Sequence, residues 1–145
     1  MSAAADTLEL AIRGWVADPE SDVVYAELVD GRWAVRMHQS VRDATTVWWQ
    51  AGERSVRAEA YVLPSPAANH EAVYRLALIR NATAWRAHFC LDGEGALVLR
   101  GRLGVEEVEL LTLDLMLGEI YELVELSFRP LVALAFASPR RETNI

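Results

Sequence analysis

The sequence predicts an α+β fold: an antiparallel sheet of about five to six strands with three helices, in the order α-β-β-β-(β)-α-β-β-α. Three observations carry that prediction. Asp30-Gly31 sits between two alternating runs, a strong local hairpin signal. Pro64-Ser65-Pro66 stops the strand-like pattern in mid-chain. Leu110, Leu113, Leu117, Ile120 and Val124 then repeat at spacings of 3 and 4, the period of a long amphipathic helix.

Each element follows from its residues. Leu8, Ile12 and Trp15 predict an amphipathic helix over 4–17, ended by Asp18-Pro19. A two-residue turn at Asp30-Gly31 pairs Leu28 with Trp33, Ala26 with Val35 and Val24 with Met37 on one apolar face. Glu27 opposite Ala34 and Tyr25 opposite Arg36 make a mixed second face. A second hairpin turns near Ala51-Gly52-Glu53, and Val56, Ala58, Ala60 and Val62 alternate with Arg57, Glu59 and Tyr61. Ser65 is the expected N-cap of the second helix and Pro66 its first residue, with the helix running to about Ala84. Glu71 lies near the positive end of the helix dipole and is set to pair with Arg75. A third hairpin joins 87–91 to 96–103 through Asp92-Gly93-Glu94-Gly95. The last helix is expected from near Val105 to at least Ser127, with Pro130 kinking or ending it. Residues 1–137 read as a single domain and 138–145 as a mobile tail.

At 145 residues, 52% hydrophobic and 24% charged, the chain has a globular balance. A net charge of −7 argues against general binding to nucleic acid or to anionic membranes, since neutralising phosphates requires a basic surface. All 14 basic residues are arginine, a bias expected of codon usage, and no local arginine patch stands out along the chain. The lone Cys90 rules out an internal disulfide and makes a cysteine-built zinc site a poor fit. The first twenty residues lack a basic n-region and no apolar stretch spans a bilayer, so a cytoplasmic location is expected.

Several local patterns suggest chemistry without supplying it. His70-Glu71 begins an HExxH motif, but position 74 is tyrosine, so the second imidazole is missing. Asn81-Ala82-Thr83 matters as a glycosylation acceptor only in a secreted protein. His88 and Cys90 share one face of a strand, and two such ligands with no third make neither a metal site nor a nucleophile–base pair. The carboxylates of the last helix spread around several faces and read as solvation. No catalytic, cofactor-binding or metal-binding set emerges. Beside its main stripe, the last helix carries a second apolar line, Val108, Leu111, Leu115 and Leu126. That line either packs on the first helix or meets a partner or a second copy.

"GERSVRAEAYVLPSPAANHEAVYRLALIRN", "FCLDGEGALVLRGRL" and "LGEIYELVELSFRPLVALAF" together resemble the actinobacterial branch of the YbjN-domain proteins. The resemblance covers roughly residues 45–137. Its most specific parts are Asn69-His70-Glu71, the Arg75 to Asn81 segment and Ser127-Phe128-Arg129-Pro130-Leu131. It implies a type III secretion chaperone-like fold, no established enzyme activity and no cofactor. Asn69, His70, Glu71, Arg75, Asn81 and Arg129 become candidates for a junction. Either they fasten the second helix to its neighbours or they line a groove for a partner segment. The caps and ion pairs that helix ends require favour the first.

The expected function is a non-enzymatic, chaperone-like or regulatory module that binds a protein segment through its sheet face or last helix, with a homodimer possible. The alternative is a small-molecule sensor or unrecognised enzyme with a pocket between sheet and helix, near His70 or near His88 and Cys90.

Overall fold

The computed structural model describes residues 2–137; the expected mobile tail at 138–145 lies outside them. The elements are α1 (Ala3–Ala17), β1 (Val23–Val29), β2 (Arg32–His38), β3 (Ala44–Ala51), β4 (Ser55–Leu63), α2 (His70–Asn81), β5 (Ala87–Leu91), β6 (Leu97–Gly104) and α3 (Leu110–Ala135), with a 3-10 turn at Val105–Glu107 before α3. The six strands form one antiparallel sheet in the order β1-β2-β3-β4-β6-β5. This is the predicted α+β architecture with its predicted element order.

The registers place alternate residues on opposite faces. One row crosses the sheet through Ala26, Val35, Val47, Ala60, Leu99 and Phe89. The next runs through Leu28, Trp33, Trp49, Ala58, Gly101 and Ala87. This face packs under the helices. Leu8, Ile12 and Trp15 of α1, Val73 and Ala77 of α2, and Leu113, Leu117, Ile120 and Val124 of α3 join Val35, Val47, Trp49, Ala58, Ala60, Ala87, Phe89 and Leu99 in one core, while Leu28, at the end of its strand, stays exposed. Trp15 meets Trp49 with ring centroids 5.5 Å apart and donates its indole N–H to Asp114 Oδ1 at 3.2 Å. That bond satisfies a polar atom the core would otherwise strand.

The hairpin turn forms as the sequence predicts, with positive φ at both Asp30 (52°) and Gly31 (81°). One pair differs. Met37 faces Val23, not Val24, because a bulge between Val23 and Tyr25 shifts the register. Val23 is thereby buried, and Val24 is left 60% exposed.

Three helix ends also differ from expectation: both ends of α2, and the start of α3, which comes at Leu110 and not near Val105. Ser65 and Pro66 do not start α2, whose N-cap is Asn69 in the left-handed region, φ 54°. Residues 64–69 instead close the C-terminal end of α3. The N–H groups of Ala67 and Ala68 each donate to the Ala135 carbonyl at 3.0 Å, and Asn69 Nδ2 donates to the Leu134 carbonyl at 3.0 Å. Terminal carbonyls of a helix need such donors, and this need outweighed the local capping signal. At its other end α2 stops at Asn81 and unwinds through single turns to Ala84. Pro130 does not end α3, which continues to Ala135. Leu126, whose carbonyl lacks the usual donor there, and Pro130 are both exposed, so water can take that oxygen.

Candidate functional site

The second face of the sheet is the candidate site. None of its residues belongs to the core beneath the helices. One row across it reads Glu27, Ala34, Trp48, Glu59, Arg100 and His88. The row below it reads Gln50, Arg57 and Arg102, with Arg32 beside it on β2. The row above reads Tyr25, Arg36, Thr46, Tyr61, Val98 and Cys90. A groove of about 1010 Å³ lies over this face, lined by Arg32, Trp48, Arg57, Arg100 and Arg102 and bordered by Trp85 and Arg86.

Sequence reasoning found no arginine patch because these arginines come from three strands and a loop. Only the register collects them. Arg32 lies over the Trp48 ring at 4.5 Å and Arg86 over Trp85 at 5.6 Å. Arg100 pairs with Glu59.

The loop bearing Trp85 and Arg86 is held by α3. Glu119 accepts three successive backbone N–H groups, from Trp85 at 2.8 Å, Arg86 at 2.6 Å and Ala87 at 2.7 Å. Trp85 is 77% exposed despite this anchoring. The solvation expected of the α3 carboxylates is therefore not the role of Glu119, nor of Glu125. Glu125 accepts from Gln39 Nε2 at 2.6 Å and from the N–H of Ser40 at 2.8 Å, and also from the Ser40 hydroxyl. The Ser40 hydroxyl bond, with its backbone and Gln39 neighbours, holds the Glu125 carboxyl below its ordinary pKa against a smaller opposing effect of burial. The network continues through Gln39 and Thr45 to Arg42, whose guanidinium donates to the Tyr61 and Val62 carbonyls, each at 2.8 Å. No sequence signal marks such pairs, which lie 85 or 86 residues apart.

The junction candidates do not converge. Asn69 reaches the end of α3, as above. Asn81 pairs with β5 like a strand neighbour, accepting from Phe89 N at 2.7 Å and donating to Phe89 O at 3.1 Å. His70 is exposed and stands edge-on to Tyr74, centroids 6.0 Å apart. Glu71 and Arg75 form an exposed pair at 3.6 Å, worth little in water. Arg129 is exposed and forms no ion pair among the described residues.

On α3, Leu111, Leu115 and Leu126 are 62%, 43% and 57% exposed, while Val108 lies before the helix, at the end of the 3-10 turn, and packs against the core. The line is thus not covered by α1.

The expected pocket between sheet and helix near His70 or near His88 and Cys90 is not where the structure places these residues. His88 and Cys90 face away from the helices into the groove, because Ala87 and Phe89 take the covered positions. The hollow that does lie between helices and sheet, about 310 Å³, opens beside Asp18, Asp22, Asp114 and Tyr121, and neither His70 nor His88 lines it. Among the described residues no cluster of histidine, cysteine or carboxylate side chains is arranged to hold a metal ion. No described helix is long and apolar enough to cross a membrane.

The family model YbjN, "Putative bacterial sensory transduction regulator", matches residues 11–132. The match therefore extends N-terminal of residues 45–137, the part that the sequence motifs cover. The uncharacterised protein ML2442 of Mycobacterium leprae is 36% identical over 123 residues, covering 81% of this chain and 67% of its own length. The uncharacterised protein Rv0487 of Mycobacterium tuberculosis is 38% identical over 87 residues, covering 60% of this chain and 48% of its own length. This chain thus spans two thirds of one relative and about half of the other. In shape it resembles a chain of the HopA1-SchA chaperone-effector complex, with a TM-score of 0.59 over 87% of this chain and 92% of that one, at 14% identity. Identity that low speaks to fold alone, which is type III secretion chaperone-like. On the family match and the mycobacterial relatives together, the chain belongs to the YbjN family.

Proposed function

We propose that the chain is a non-enzymatic, cytoplasmic binding module, chaperone-like or regulatory, that holds an extended segment of a partner protein on the uncovered face of its sheet. The observation that carries this reading is the face itself. It is concave, lies opposite the helices, and is lined by Trp48, Trp85 and arginines that the fold does not bury. Extended segments dock on such surfaces through side-chain pockets and strand edges without any catalysis. The regulatory description of the family and the shape shared with a chain of a chaperone-effector complex support the reading.

A photo-crosslinking residue at Gln50, in the groove, and another at Leu115, on α3, test it in the protein's own cells. A partner polypeptide captured at Gln50 and absent at Leu115 is the expected result. Capture at Leu115 alone would move the site to the last helix. That second reading, in which Leu111, Leu115 and Leu126 meet a partner or a second copy, is favoured by their exposure. A bound small molecule in place of a polypeptide would favour the sensor alternative.

A further inference from the structure

Arg57 of β4 and Arg102 of β6 face each other directly across the ladder. Like charges in that position destabilise a sheet. Among the described residues the ion pairs are Arg13 with Glu9, Arg75 with Glu71 and Arg100 with Glu59, so neither Arg57 nor Arg102 has a carboxylate within 4.0 Å. The groove gathers five guanidinium groups, Arg32, Arg57, Arg86, Arg100 and Arg102, against two carboxylates, Glu59 and Glu107. This happens in a chain whose net charge is −7. A repulsive pair kept open on an otherwise acidic protein is a cost to the free molecule that an anionic occupant would remove.

We propose that the occupant is a short acidic polypeptide segment, bound extended across the strands. The proposal rests on the protein-binding reading above and names the chemistry of its partner. Carboxylates would meet the Arg57–Arg102 pair in forked hydrogen bonds, the geometry that guanidinium groups favour. The groove crosses β2, β3, β4, β6 and β5. Four inter-strand spacings amount to about 19 Å, the reach of roughly six extended residues.

Two features favour a peptide over a single-stranded nucleic acid. Trp48 and Trp85, the rings on which bases would stack, already carry the guanidinium groups of Arg32 and Arg86. The chain also carries 21 acidic residues, which would repel a polyphosphate running beyond the groove.

The test is fluorescence anisotropy with a labelled peptide of alternating glutamate and leucine, its lysine-for-glutamate counterpart, and an oligouridylate. The acidic peptide should bind and the lysine peptide should not. The double variant R57E/R102E should weaken binding about tenfold or more. Raising salt from about 0.05 to about 0.5 M should weaken it in the wild type as well. Equal binding of the two peptides, an unchanged double variant, or tighter binding of the oligouridylate would overturn the proposal. Arg102→Gln removes a like-charged neighbour, so its Tm should not fall; a fall would show that Arg102 serves the fold and would equally overturn it. If the acidic peptide fails while Gln50 still crosslinks a cellular polypeptide, the charge chemistry is wrong and the protein-binding reading stands. If both fail, that reading falls too.

Discussion

A Cβ at Gly101 would lie 2.5 Å from Met116 Sδ and 2.9 Å from the Arg86 carbonyl oxygen. The glycine is what lets α3 press against β6 directly below the groove, so its place is set by packing and not by a turn. Gly101→Ala should therefore cost about 1–3 kcal/mol, the usual range for overpacking, and lower Tm without changing the fold. Asn81 acts at the same scale. Its amide supplies both a donor and an acceptor to Phe89 on the outer edge of β5. Asn81→Ala leaves that N–H without its partner and should cost about 1–3 kcal/mol. Hydrogen exchange would localise the effect, with the Phe89 amide losing protection first. The partners are not visible in the sequence, although the family resemblance offers Asn81 as a residue that fastens the second helix to a neighbour. A glycine within a strand pattern announces a close approach without naming its partner, and an asparagine near a helix end announces only a cap or a turn.

At the scale of elements, α3 is the spine of the molecule, and two of its carboxylates reach across to loops. Glu119 fixes the entry to β5, and Glu125 fixes the exit from β2. Because its hydrogen bonds hold the folded-state pKa of Glu125 below the ordinary glutamate value, its contribution is fully present above that value. The contribution disappears as pH falls through the lower, folded-state pKa. Stability of the wild type should accordingly decline across that acidic window. Glu125→Gln should be less stable at neutral pH and show a shallower decline over the same window, as urea melts at a series of pH values would record. The periodicity of α3 was legible because burial of one face imposes it. The loop contacts were not, since they join residues more than thirty positions apart by geometry that only the folded sheet creates. The start of α2 differs from its sequence signal for a related reason: Ser65 and Pro66 satisfy the local rules for a helix beginning, while the open carbonyls of α3 claim the segment for themselves.

For the whole molecule, alternation along the strands tells which residues share a face, and the Asp30-Gly31 turn fixes the first register, so the covered positions of β2 and β4 are legible, while the bulge at Val24 and the exposed Leu28 are not. What lay beyond reach was the sum of the other face. Arg57 and Arg102 are far apart in the chain and become neighbours only through the pairing of β4 with β6, a strand from the far side of α2, while Arg32 joins them through β2, β3 and β4. A division into one sealed face and one free face makes a contrast between adjacent residues that is open to measurement. Trp49 is fully buried against Trp15, whereas Gln50 points into the groove and is exposed. Trp49→Ala should cost about 3–5 kcal/mol through lost burial and the cavity left behind. Gln50→Ala should stay within about 0.5 kcal/mol of the wild type, as surface changes do. Chemical melts of the two variants decide the matter. A large loss in Gln50→Ala would mean that the groove face is itself required for folding. A small loss, paired with the large one next door, would mean that the stability of the fold rests on the sealed face and not on the groove side chain.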